Sequence, residues 1–126
     1  MQRVGDDSAG FSVDHPAPDR ILVRAWGFWS VQVAAAFEPT VADACRSWPR
    51  GAVLILDMSD VKPMREEGQQ SLSQLLRSLP KLGVTQVSIV TTNPLAKLQL
   101  VRLVAESRTG TPVEWIAGTN QLARSG

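Results

Sequence analysis

A chain of 126 residues, 44% of them hydrophobic and 20% charged, has the size and composition of one folded domain with a packed core. Its formal net charge of +1, with no basic run, argues against a dedicated binder of nucleic acid or of an anionic membrane surface. A single cysteine, Cys45, leaves no internal disulfide and no cysteine-rich metal site, and no apolar run reaches the roughly 18 residues of a membrane span.

Residues 1–10 are polar and small, the composition of a frayed start, and they lack the apolar stretch of a signal peptide, so a cytoplasmic protein is expected. Phe11 to Asp14 alternate apolar and polar residues, which predicts a short edge strand. His15-Pro16-Ala17-Pro18-Asp19 reads as a turn, because two prolines fix φ and remove two donors. Arg20 to Trp26 follows as a strand with Ile21, Val23 and Ala25 on one face, and the two strands are expected to pair as a hairpin.

Gly27 ends that strand, and Ser30 is a good N-cap for a helix from Val31 to Ser47. The apolar positions Ala34, Phe37, Val41, Ala44, Cys45 and Trp48 keep to one face across Pro39. A proline costs about 3 kcal/mol in a helix interior. The unbroken apolar face nevertheless predicts one bent helix, stopped by Pro49-Arg50-Gly51, with Cys45 an inert core thiol.

Ala52 to Met58 is the expected central strand, and the run Leu54-Ile55-Leu56 suggests a sheet covered on both faces. A helix from about Met64 to Leu82 would bury Leu72, Leu75, Leu76 and Leu79, with Pro80 distorting its last turn and Gly83 a C-cap. Val84 to Thr91 is the next strand. Asn93 and Pro94 then supply a cap and a first helical residue for a helix from Leu95 to Arg108. Gly110 would end it, Val113 to Ala117 form a last strand, and residues 118–126 a polar tail. Strands that alternate with helices imply crossover connections and a mainly parallel sheet within residues 11–117.

This order, together with Ile55-Leu56-Asp57-Met58-Ser59-Asp60-Val61, resembles STAS domains, the fold of sulfate transporters and anti-sigma factor antagonists. The likeness is nearer to the SpoIIAA-like or STAS/SEC14-like bacterial proteins. It implies an α/β, STAS-like single domain, with a mixed sheet of four to five strands and three helices in the order β-β-α-β-α-β-α-β. The family's central strand commonly reads aliphatic-aliphatic-Asp-Leu-Ser-x-Val. Its next signature, Asp-Ser-Ser-Gly, falls without a gap on Arg65-Glu66-Glu67-Gly68, where only the glycine matches. In anti-sigma factor antagonists the first serine of that signature is phosphorylated by a partner kinase. Glu66 stands at that switch position and has no hydroxyl. The resemblance therefore implies a protein-interaction role without the family's phosphorylatable serine, and makes Ser59, Asp60, Lys62, Arg65, Glu66, Glu67 and Gly68 the candidate partner-binding residues.

The plainer reading of Glu66 and Glu67 is that two acids in a first helical turn complement the helix dipole, worth about 0.3–1 kcal/mol. As imitators of phosphoserine they would carry about half its charge. Asp57 and Asp60 end a strand where a metal or phospho-acceptor site sits in other α/β folds, but the earlier strand, ending Ala25-Trp26-Gly27, offers no further carboxylate. Asp57 is therefore expected to bond within its own loop, with Asp60 in a turn. His15, the sole histidine, lies beside a proline. No Gly-x-Ser-x-Gly elbow or glycine-rich phosphate loop occurs, so neither an enzyme nor a cofactor is expected. Trp26, Trp29, Trp48 and Trp115 suit core or rim packing as well as interfaces. The helix from Leu95 to Arg108 has an apolar arc wider than one sheet face requires. Three readings stay open for it: a homodimer face, another partner's face, or the wall of a pocket for an apolar or lipid-like ligand.

Overall fold

The computed structural model describes residues 2–48 and 51–117. The chain runs β1 (Gln2–Gly5), β2 (Gly10–Ala17), β3 (Arg20–Gly27), α1 (Val31–Arg46), β4 (Val53–Val61), α2 (Glu66–Ser78), β5 (Gln86–Thr91), α3 (Pro94–Ser107) and β6 (Val113–Ala117). The strands form one sheet in the order of the chain, β1-β2-β3-β4-β5-β6. β1, β2 and β3 pair antiparallel, while β3, β4, β5 and β6 pair parallel. The expected parallel set and the central place of β4 are both present. The expected tail from Gly118 and the helix stop at Pro49-Arg50 lie outside the described residues.

Each crossover steps one strand in the same direction. Crossovers of one hand that never reverse direction bring their helices to the same face of the sheet. Accordingly Phe11, Ile21, Val23, Leu54, Leu56 and Ile89 share one core cluster with Phe37 of α1, Leu72 of α2 and Leu100 of α3. On the opposite face Ile55, Val90 and Ile116 form a second cluster with Leu22 and Val53, and among the described residues it contains no helical one. Where a sheet covered on both faces was expected, the helices among the described residues cover one face. Among the described residues, Ile55 and Val90 pack against side chains of neighbouring strands.

The sheet has six strands rather than four or five, because Gln2–Gly5 pair with Gly10–Val13 instead of fraying. The Phe11 strand is antiparallel as expected but is not at the edge. The reason lies at a distance in sequence. Trp26 Nε1 donates to the carbonyl of Asp6 at 2.7 Å, and Trp29 Nε1 donates to that of Gly10 at 3.0 Å. These two indoles flank Gly27 (φ +75°), where a Cβ would stand 2.0 Å from the Ser8 carbonyl oxygen. The junction after β3 thus grips the β1–β2 turn. Asp6 closes that turn by accepting from the Ser8 hydroxyl and from the amides of Ser8 and Ala9.

β2 continues through His15 and Pro16 to Ala17, with a register irregularity after Asp14, so the turn shrinks to Pro18-Asp19. His15 stacks on Trp48, ring centroids 3.9 Å apart and planes 5° from parallel, and this contact secures the strand's extension. α1 is one helix across Pro39, with Ser30 Oγ capping the Val33 amide at 3.2 Å. α2 begins at Glu66 and ends before Pro80. Leu72, Leu75, Leu76 and Leu79 are all fully buried, and Gly83 takes a positive φ after the helix. α3 is capped by the Asn93 side chain, which accepts from Leu95 and Ala96. It ends on Arg108 in the left-handed region (φ 52°) rather than at Gly110.

Candidate functional site

The candidate residues from Ser59 to Gly68 belong to three elements, not to one loop. Ser59 and Asp60 extend β4, Lys62 to Arg65 connect, and Glu66 to Gly68 open α2. β4 outlasts its predicted end at Met58 because β3 pairs with it to Val61, with Gly27 opposite. The register slips on the way: Arg24 faces Asp57, whereas Trp26 faces Asp60, so β4 holds one extra residue. Such a bulge leaves an amide outside the ladder. The Asp57 carboxylate accepts from the Ser59 amide at 3.1 Å and from its hydroxyl at 2.7 Å. The Asp-x-Ser pattern thus has a structural explanation, since the buried aspartate satisfies the bulge. Its partner is a strand residue rather than the loop expected, and Asp60 is an exposed strand residue rather than a turn residue.

Beyond Val61 the connection is pinned from both sides. The Lys62 amide donates to the Gly27 carbonyl at 3.0 Å. The Met64 amide donates to Gln99 Oε1 of α3 at 2.7 Å. The Met64 carbonyl accepts from Gln99 Nε2 and from Gln69 Nε2, both at 2.9 Å. Met64 itself is buried and packs under α2. A Cβ on Gly68 would lie 3.1 Å from Met64 Cβ, so the glycine lets the first turn of α2 sit close on this side chain. Nothing in the sequence pointed to Gln69 or Gln99. Their roles depend on helices that meet only in three dimensions.

Lys62, Arg65, Glu66 and Glu67 are all exposed. Arg65 occupies the N-cap of α2 without a side-chain cap bond, and its guanidinium lies over the Phe28 ring, 4.9 Å from the centroid. Phe28 is exposed in the β3–α1 connection, as is Val31 at the start of α1. An aromatic ring, a cation and two carboxylates thus share the edge at the carboxyl ends of the parallel strands. Sequence reasoning missed Phe28, whose one signal was a third large aromatic beside Trp26 and Trp29 in a connection only three residues long. Glu66 is partly engaged along its own helix, accepting from Gln70 Nε2 at 3.2 Å. His15 stacks in the β2–β3 hairpin and Cys45 is buried in α1, so neither lies in this residue set.

No protein-family model and no curated protein matches the chain. Solved structures do. One is an uncharacterized protein of the DUF3478 family with a SpoIIAA-like fold from Shewanella loihica PV-4. The TM-score is 0.67 at 12% identity, covering 97% of this chain and 98% of that one. Another is an anti-sigma factor antagonist from Mycobacterium paratuberculosis. There the TM-score is 0.60 at 22% identity, covering 87% of this chain and 88% of the other. At these identities the likeness is one of fold. The one-directional β-α succession and the likeness to these two structures together give the chain a mixed α/β domain with the SpoIIAA-like fold.

Proposed function

We propose that the chain is a non-enzymatic regulatory module that binds a protein partner across the carboxyl edge of its sheet, and that the binding is not gated by phosphorylation. The observation that carries this reading is the exposed Phe28–Arg65 pair at the opening of α2, beside Lys62, Glu66 and Glu67. An aromatic ring and an arginine with charged neighbours are the residue types that anchor protein interfaces. The fold's likeness to an anti-sigma factor antagonist supports the same reading.

Three positions bear on the gating. The family's switch position is Glu66, which offers no hydroxyl. Ser59 is held by Asp57 and Ser71 is buried against α1, so both are poorly presented to a kinase. The reading of α3 as a pocket wall has less support. Its inner residues Ala96, Leu100 and Leu103 are buried, and its surplus apolar side chains face outward.

A photo-crosslinking residue in place of Phe28 identifies the partner in the native host. The affinity of that partner for Phe28→Ala and Glu66→Lys is then measured. Phe28→Ala is expected to weaken the complex about tenfold or more, the loss typical of an interface anchor. Unchanged affinity in both variants overturns the reading, as does phosphate found on residues 59–71 by mass spectrometry of the native protein.

A further inference from the structure

We infer that the outer face of α3 is a second docking surface, built for an amphipathic helix of a partner protein that carries acidic residues along one flank. Leu95, Leu98 and Val101 recur every three residues on this helix and are 69%, 68% and 43% exposed. They account for three of the five large exposed hydrophobic side chains among the described residues. The inner face of α3 is already buried through Ala96, Leu100 and Leu103, so the core makes no claim on the outer stripe. A helix that is apolar on both faces belongs between two layers, and among the described residues nothing covers the outer face.

The charges bordering the stripe specify what fits it. On the side of Val101 stand Lys97, one turn earlier, and Arg108, two turns later; neither makes an ion pair among the described residues. On the other side Arg102 is engaged, donating to Gln69 at 2.7 Å and lying 3.6 Å from Glu106. The free border charge is therefore positive, and it complements a partner with carboxylates along that flank. A second copy paired antiparallel fits poorly. A two-fold axis that pairs α3 with itself antiparallel sets each flank against its own copy, so Lys97 and Arg108 would meet the same cations. A lipid surface is also disfavoured, because Glu66 and Glu106 line the groove between α2 and α3 on the opposite border. The surface is held rigid, since Gln99 and Arg102 tie α3 to the Met64 connection and to α2.

The test uses two synthetic amphipathic helices with the same leucine stripe, one flanked by glutamates and one by lysines, titrated into the isotope-labelled full chain. The glutamate peptide is expected to bind about tenfold tighter or more, with chemical-shift changes concentrated on residues 94–108. Leu98→Asp, at an exposed site that leaves the fold intact by thermal melt, is expected to abolish binding. The double reversal Lys97→Glu with Arg108→Glu is expected to exchange the preference to the lysine peptide. Equal affinity for the two peptides, binding of neither, or shifts on other elements overturns the inference. A dimer in sedimentation that Leu98→Asp dissolves, or Leu98-dependent binding to phosphatidylglycerol vesicles, likewise overturns it, in favour of a second copy or a membrane.

Discussion

Ser71 of α2 accepts a hydrogen bond at 3.0 Å from the backbone amide of Glu38, the residue immediately before Pro39 in α1. A proline crowds the amide that precedes it, and here a hydroxyl from the neighbouring helix receives that amide. The bond shows how α1 stays one helix through a residue that usually breaks it. Ser71→Ala should therefore cost about 1 kcal/mol, the net worth of a hydrogen bond at a partly buried site. Adding Pro39→Ala should recover part of that loss, because an uncrowded amide has its own helical carbonyl available. Chemical denaturation of the four chains in a double-mutant cycle measures the coupling, and strict additivity would show that the contact does no more than fill space.

The β1–β2 turn is the second testable element. Gly27→Ala drives a Cβ into the Ser8 carbonyl at a positive φ, so β1 should detach while the helix-covered core persists. Trypsin should then cut after Arg3 in the variant and spare the parent chain. Acid should have a related effect. The Ser8 hydroxyl, followed by the Ser8 and Ala9 amides, holds the Asp6 carboxyl below its ordinary value of 3.8. Its contribution is present above that value and is lost as pH falls through the lowered one. The Trp26 indole proton, followed by NMR, should shift before the core unfolds.

Burial pushes the Cys45 thiol up from 9.0 to about 11. A raised thiol value favours folding while the group is protonated. This contribution is complete below 9.0 and disappears as pH rises toward 11. Cys45 should resist iodoacetamide in the native chain and react on denaturation. Cys45→Ala should lose less stability between neutral and strongly alkaline pH than the parent does, as measured by thermal melting.

Gln99→Leu removes both bonds to the Met64 peptide and leaves its amide without that acceptor. Amide exchange at Met64 should accelerate at least tenfold, with stability reduced by about 1–3 kcal/mol. Equal protection in variant and parent would mean that packing of the Met64 side chain alone holds the connection.

Glu66→Lys separates the roles of the first turn of α2. A lost dipole interaction at an exposed position should change stability by no more than about 1 kcal/mol. A larger loss on urea denaturation would mean that the Glu66–Gln70 bond supports the helix start.

The succession of strands and helices was written in the sequence, because it rests on periodicities and caps that act over a few residues. Leu72, Leu75, Leu76 and Leu79 announced one buried helix face, Asn93-Pro94 announced a helix start, and the aliphatic run Leu54-Ile55-Leu56 announced the central strand. The proposal that Glu66 stands where the resemblance places a serine came from the sequence too, since it is a matter of residue identity. What only the tertiary structure decided depends on groups brought together from far apart in the chain. Polar residues 2–5 became a strand because two indoles twenty residues away hold the turn that follows them. β4 outran its expected end because β3 offered backbone partners as far as Gly27, and Asp57 absorbed the extra residue. The Phe28–Arg65 contact and the two glutamines on Met64 leave no local pattern, because such contacts are satisfied by geometry between elements. The outward stripe of α3 lay between these cases. Its apolar residues were visible in sequence, but which of them the core would claim was fixed only when the sheet and the other two helices had filled the inner face.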